Sequence, residues 1–173
     1  MQTLILHPDC AAGPITNVQA EIEATKQGCK ARFRFDGDIS RIKVPMHAAS
    51  ERMDFLWKTT CFEIFWQPEG GQYYREFNLS PSSRWACYDF DDFRLNSRNA
   101  PVEAIAIACS HDGTSLQLEA SIASELPLPA AVALNAIVED NDGNIQFWAL
   151  AFEDGKAEFH SEVCRAITLE KLA

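Results

Sequence analysis

Two stretches of this chain set carboxylates and an amide among aromatic residues, two positions apart. The first is FLWKTTCFEIFW, residues 55–66, which carries Glu63; the second is EFNLSPSSRWACYDF, residues 76–90, which carries Glu76 and Asn78. In an extended strand alternate side chains share a face. Cys61, Glu63 and Phe65 therefore oppose Phe62, Ile64 and Trp66, and Tyr74, Glu76, Asn78 and Ser80 oppose Tyr73, Arg75, Phe77 and Leu79. If the two strands pair through a turn at Pro68–Gly71, then Glu63, Glu76 and Asn78 project from one side. Such a set suits a small, hydroxyl-rich ligand: the polar groups fix acceptors and donors, and aromatic rings take the C–H faces. A solvated face whose acids pair across strands with Arg75, Lys58 or Arg94 accounts for the same letters.

Around these acids stand further candidates. Trp57 lies in the loop-like MDFLWK, where an exposed indole is costly without a task; Trp85 follows Ser82-Ser83-Arg84 at the rim of a turn. Trp148 alternates away from Phe147 and is expected on a concave sheet face. Trp66, beside Phe62 and Ile64, belongs in the core. Arg84 and Arg94 could present a guanidinium fork to paired hydroxyls or a carboxylate. His7, His47, His111 and His160 show no zinc spacing, so no metal site is expected. Asp89, Asp91 and Asp92 lack the alternating pattern of a calcium loop and read as a solvated turn. No P-loop, nucleophile elbow or glycine-rich cofactor loop occurs, and no cofactor is expected. Glu63 and Glu76 on neighbouring strands could still reach the carboxyl separations of a glycosidase.

The elements that must position these residues are strands. Gly follows Asp at positions 37, 113, 143 and 155, and Gly70-Gly71 punctuates another apolar pair of runs. Between these turns the apolar period is two. Strands are expected near 2–6, 17–25, 29–36, 39–44, 59–67, 72–80, 84–90, 102–110, 114–122, 131–139 and 144–151. In the hairpin of 17–25 and 29–36 an acidic outer face lies opposite a basic one. Helical turns are expected only within 125–134 and 163–172. The fold class is all-β: an antiparallel sandwich of two sheets, one concave, of jelly-roll or immunoglobulin-like architecture, in one domain over 1–173.

The bulk composition narrows the partners. The chain has 173 residues and a formal net charge of −10, a field that repels phosphate backbones and anionic membranes. Neither nucleic acid nor membrane is expected as a partner. MQTLILHPDCAAG lacks the basic flank and apolar run of a signal peptide, which points to the cytoplasm. There the six scattered cysteines should be reduced, buried thiols.

LWKTTCFEIFW, YYREFNLSPSSRWACYDFDDFR and FWALAFEDGKAEFH together resemble the DOMON-like proteins of bacteria, which are similar in turn to family 9 carbohydrate-binding modules. The resemblance spans about residues 50–160. It rests on an acid on a strand (Glu63), then Tyr74, Glu76, Phe77 and Asn78, then Pro81 and a small residue, then an aromatic and an aspartate. It departs where such chains often carry a glycine and this one has Ser83-Arg84. What it implies is a β-sandwich with a non-catalytic ligand site on its concave sheet, and it favours Trp57 and Trp148 as stacking platforms. Heme-binding relatives use Met and His ligands, but no motif here pairs Met46, Met53, His47 or His160. The site expected is Trp57, Glu63, Glu76, Asn78, Trp85, Arg94 and Trp148, taking a sugar-like ligand. Two readings of other classes stay open: a sugar-active enzyme using Glu63 and Glu76, and a scaffold for a partner protein.

Overall fold

Period-two runs become strands throughout. The computed structural model of the chain describes residues 1–172 and contains, among them, twelve strands and no α-helix. The strands are β1 (Gln2–Leu6), β2 (Ile15–Thr25), β3 (Gly28–Gly37), β4 (Cys61–Pro68), β5 (Tyr74–Leu79), β6 (Trp85–Phe90), β7 (Arg98–Asn99), β8 (Ala104–His111), β9 (Ser115–Ala123), β10 (Ala130–Glu139), β11 (Ile145–Ala149) and β12 (Ile167–Leu169). All pair antiparallel in the order β7-β6-β5-β4-β10-β11-β1-β2-β3-β9-β8, with β12 beside β10.

Where two separate sheets are expected, the hydrogen bonding instead runs through one curled sheet. The joint is β1. Its first residues, Gln2 to Leu4, pair with β2, and its last, Ile5 and Leu6, pair with β11. A short strand that changes partner along its length carries the sheet round its corner. The two halves then face each other across the core. Phe33 and Phe35 of β3 lie 4.9 and 4.7 Å, centroid to centroid, from Phe62 of β4, a strand far from β3 in the hydrogen-bonded order. Trp66 joins this core as expected, its indole N–H donating to the Pro127 carbonyl.

The hairpin of β2 and β3 has the expected charge register, Glu21 opposite Arg32 and Glu23 opposite Lys30. Two other expectations fail locally, and a third is met in part. Residues 39–44 form no strand; Ile39–Arg41 is a 3-10 turn started by Asp38, whose carboxylate accepts from the Ser40 N–H. The helical turn expected in 125–134 is absent, because Pro127 and Pro129 remove donors and β10 starts at Ala130. Within 163–172 a single 3-10 turn, Glu162–Cys164, gives way to β12. All six cysteines are unpaired. No helix among the described residues is long and apolar enough to cross a membrane.

Candidate functional site

The β4–β5 register sets Glu63 opposite Asn78 and Phe65 opposite Glu76. Residues directly opposite in an antiparallel pair point the same way, so Glu63, Glu76 and Asn78 share the face turned away from the core. That face is not wet. The chain from Phe152 to Arg165 folds back over it, and Phe159 and Cys164 close a second apolar cluster with Phe65, Tyr74, Phe90 and Ile137. Strand β5 is consequently buried at all six positions and β4 at its first six.

Beside this cluster a groove of about 1180 Å3 stays open. Glu63, Glu76 and His160 lie on its floor; Trp57, Tyr88, Phe90, Phe147 and Phe159 line its walls. Although they line a groove, Glu63 and Glu76 are only 4% and 6% exposed. Asn78 donates from Nδ2 to Glu76 Oε1 at 2.7 Å, and the other Glu76 oxygen lies 3.6 Å from His160 Nε2. The Tyr74 hydroxyl accepts from the Arg94 N–H at 3.1 Å and contacts His160 Nδ1 at 2.6 Å. With one side of the phenol oxygen already accepting, the tautomer assigned to this network has Tyr74 donating to Nδ1 and the ring proton on Nε2, facing Glu76.

Burial dominates the electrostatics. It raises Glu63 well above the usual carboxylate range, and the neighbouring Glu76 raises it further. It lifts Glu76 to about 7, against the Asn78 hydrogen bond and the Arg94 charge. The same desolvation pulls His160 down to about 4, leaving a neutral imidazole at pH 7. The cations of the rim are engaged with other partners. Arg94 holds Glu158 through Nε and Nη2 at 3.1 and 2.9 Å, Arg98 holds Asp91 at 2.6 Å, and Lys58 lies 4.5 Å over the Phe55 ring. Arg75 points to the core face and grips Asp89 with two hydrogen bonds, at 2.7 and 3.0 Å.

Of the seven residues singled out in the sequence, five converge and two do not. Trp57, Glu63, Glu76 and Arg94 line the groove, and Asn78 supports it by holding Glu76. Trp148 is opposite Ala136, itself opposite Phe62, so it faces the core and is 5% exposed. Its neighbour Phe147 takes the groove side instead. Trp85 pairs with Leu79 on the core face, under the Arg52 guanidinium 5.0 Å from its ring centroid. Alternation alone cannot say which face of a doubly buried strand is which, and the register reverses both tryptophans. Arg84 likewise leaves the groove and pairs with Glu51 at 2.8 Å. Ser83 adopts φ +78, a left-handed conformation that glycine would suit better.

The three aspartates do not converge. Asp89 is held by Arg75 and Tyr73, Asp91 by Asn96 and Arg98, and Asp92 accepts from the Phe93 N–H. Met46 is fully outward at 89% exposure, and His47 contacts Ser83, away from His160.

Asn135 went unnoticed in the sequence. It sits opposite Glu63 in β10, is fully buried, and has no partner for either amide atom. Its signal was legible: one amide inside AAVALNAIV, a run otherwise apolar. His160 could not be placed this way, because nothing local ties it to Tyr74, 86 positions earlier.

No protein-family model matches the chain, and no curated protein matches it. Among solved structures it is similar to a protein from Bacteroides uniformis ATCC 8492 described as a "putative carbohydrate-binding protein". The TM-score is 0.67 at 16% sequence identity, over 94% of this chain and 82% of that one. At that identity the likeness is one of fold. The class defined here is therefore an all-β, antiparallel, curled-sheet protein with a groove floored by buried acids.

Proposed function

We propose that the chain is a non-catalytic, single-domain binding module that takes a carbohydrate in this groove, on the concave face of a sandwich-like fold. The observation that carries the reading is the pairing of an amide-braced carboxyl floor with exposed and half-buried aromatic walls. Glu63, Glu76 and Asn78 supply polar groups fixed by strand geometry, and Trp57, at 47% exposure, offers an indole face at the rim. The resemblance to family 9 carbohydrate-binding modules and the fold shared with a protein bearing a carbohydrate-binding description support the same class of ligand.

The test is calorimetry against mono- and disaccharides, with hydrolysis followed in parallel. A Kd of about 10 μM to 1 mM is expected, since hydroxyls exchange water bonds for protein bonds at small net gain. Turnover of any sugar, abolished by Glu76→Gln with binding retained, would establish the enzyme instead. Neither heat nor product across the panel would leave a protein-docking surface as the reading.

A further inference from the structure

The groove floor has a charge property that a neutral sugar does not use. Two carboxyls lie on it, nearly buried, and no lysine or arginine among the described residues forms an ion pair with either one. Every cation that lines the groove is engaged elsewhere: Arg94 with Glu158, Arg98 with Asp91, and Lys58 over Phe55. Among the described residues the Glu63 carboxyl accepts no hydrogen bond, while its cross-strand neighbour Asn135 has both amide atoms unpartnered. Buried polar groups are normally satisfied, and packing alone gives no reason to set unpaired acids and an idle amide side by side. The walls add a second feature. Tyr88, Phe90, Phe147, Phe159 and Trp57 surround the floor with ring faces and edges, the surroundings in which an ammonium is stabilised. The chain shows this affinity in its own Lys58, whose Nζ lies 4.5 Å over Phe55 and 5.7 Å over Trp57.

We propose that the floor receives a protonated amine, so that the ligand is an amino sugar whose ammonium sits between Glu63 and Glu76. This rests on the carbohydrate reading above and narrows it. The ammonium would supply the counter-charge both acids lack, and its N–H donors would meet Glu63 and the Glu76 oxygen not taken by Asn78. The ring hydroxyls would remain for the mouth of the groove. Around the pair stand Tyr74, Tyr88, His160, Arg94, Glu158 and Cys61, with Asp54, Lys58 and Arg98 further along the groove. No lysine or arginine among the described residues comes within ion-pair reach of either acid, and His160 is neutral at pH 7. An arriving ammonium must then favour the ionised acids, so binding near pH 7 should expel protons.

The experiment is calorimetry at pH 7 with D-glucosamine and D-galactosamine, their neutral parents D-glucose and D-galactose, and the N-acetylated forms, each in two buffers of different ionisation heat. An amino sugar should bind at least about tenfold more tightly than its parent and its N-acetyl form, with proton release on binding. Glu63→Gln should bring the amino sugar down to the level of its neutral parent and cut the proton release. Glu76→Gln gives the same readout should the first variant fail to fold. Equal or tighter binding of the neutral parents overturns the amine inference while leaving the carbohydrate reading standing. No binding by any sugar overturns both.

Discussion

β3 and β4 are both aromatic, alternating strands, and they meet in the core, where Phe33 and Phe35 pack on Phe62. Their outer faces have opposite fates. Lys30 and Arg32 on β3 stand in solvent, with Arg32 reaching Glu21 at 3.2 Å and Glu119 at 3.7 Å. Glu63 on β4 lies nearly buried on the groove floor, beside residues from the far end of the chain and without an ion-paired lysine or arginine. The same periodicity thus produces a screened lattice of surface charges in one half and a desolvated acid pair in the other. What differs is not the strand but the segment that does or does not fold over it. Burial is what converts a polar face into one with displaced pKa values and an unmet need for a partner.

The sharpest way to break this comparison is to remove a cation from each half. Arg75 and Asp89 are each 6% exposed, and Arg75 also donates to Ser124 and the Glu125 carbonyl. Arg75→Ala strands a buried carboxylate and leaves those acceptors idle. A loss of about 3–5 kcal/mol is expected in denaturant unfolding. A loss below about 1 kcal/mol would mean that this half is as well solvated as the other.

The tryptophans divide along the same line. Trp57→Ala should weaken sugar binding by about 1–3 kcal/mol while changing stability by less than about 1 kcal/mol, because the residue is half exposed at the groove rim. Trp148→Ala should do the reverse, costing about 3–5 kcal/mol of stability by opening a cavity under β10 and β11. Titration and unfolding of both variants would show whether the groove face and the core face have been told apart.

Most of the fold was legible because hydrophobic alternation and turn residues are local. The β2–β3 hairpin, its charge register and the core role of Trp66 follow from residues no more than 22 positions apart. So does the shared face of Glu63, Glu76 and Asn78, which needed only the correct hairpin. The failures have one cause. Trp85 and Trp148 lie on strands buried on both faces, where alternation survives but no longer marks inside and outside. His160 and Phe159 join the groove, and Asn135 comes to lie beside Glu63, through contacts that span the chain, and β1 merges two expected sheets by changing partners. Long-range closure leaves little local trace.

A subtler contrast is in pH. Glu76 is raised in the folded state from 4.5 to about 7, so its stabilising contribution is complete below 4.5 and is lost as pH rises through 7. His160 is lowered from 6.5 to about 4, so its contribution is complete above 6.5 and is lost as pH falls through 4. Between about 4.5 and 6.5 the two slopes oppose each other, and the stability contributed by this pair should be nearly flat. Glu76→Gln should remove one slope. It should raise stability by about 1–3 kcal/mol at pH 8 and change it little at pH 5, while the raised Glu63 still sets a falling slope against the rise from His160. Urea unfolding of both proteins from pH 4 to 8 checks the sign. Curves that stay parallel over that range would mean the groove floor is hydrated enough to hold both groups near their ordinary values.

The smallest effect belongs to the open half and completes the comparison. Arg32 bridges Glu21 and Glu119 across three adjacent strands, yet its side chain is 59% exposed. Coulomb attraction there works through water, ordering the long side chain costs entropy, and salt screens what remains. Arg32→Ala should therefore cost less than about 1 kcal/mol, and that cost should shrink as salt rises from 0.05 to about 1 M, where the Debye length falls to about 3 Å. Arg75→Ala should keep most of its penalty across the same range, since ions cannot reach a pair buried beneath β5 and β6. If the Arg32 loss matched the Arg75 loss, or both faded equally with salt, the two faces would differ in residues but not in dielectric surroundings.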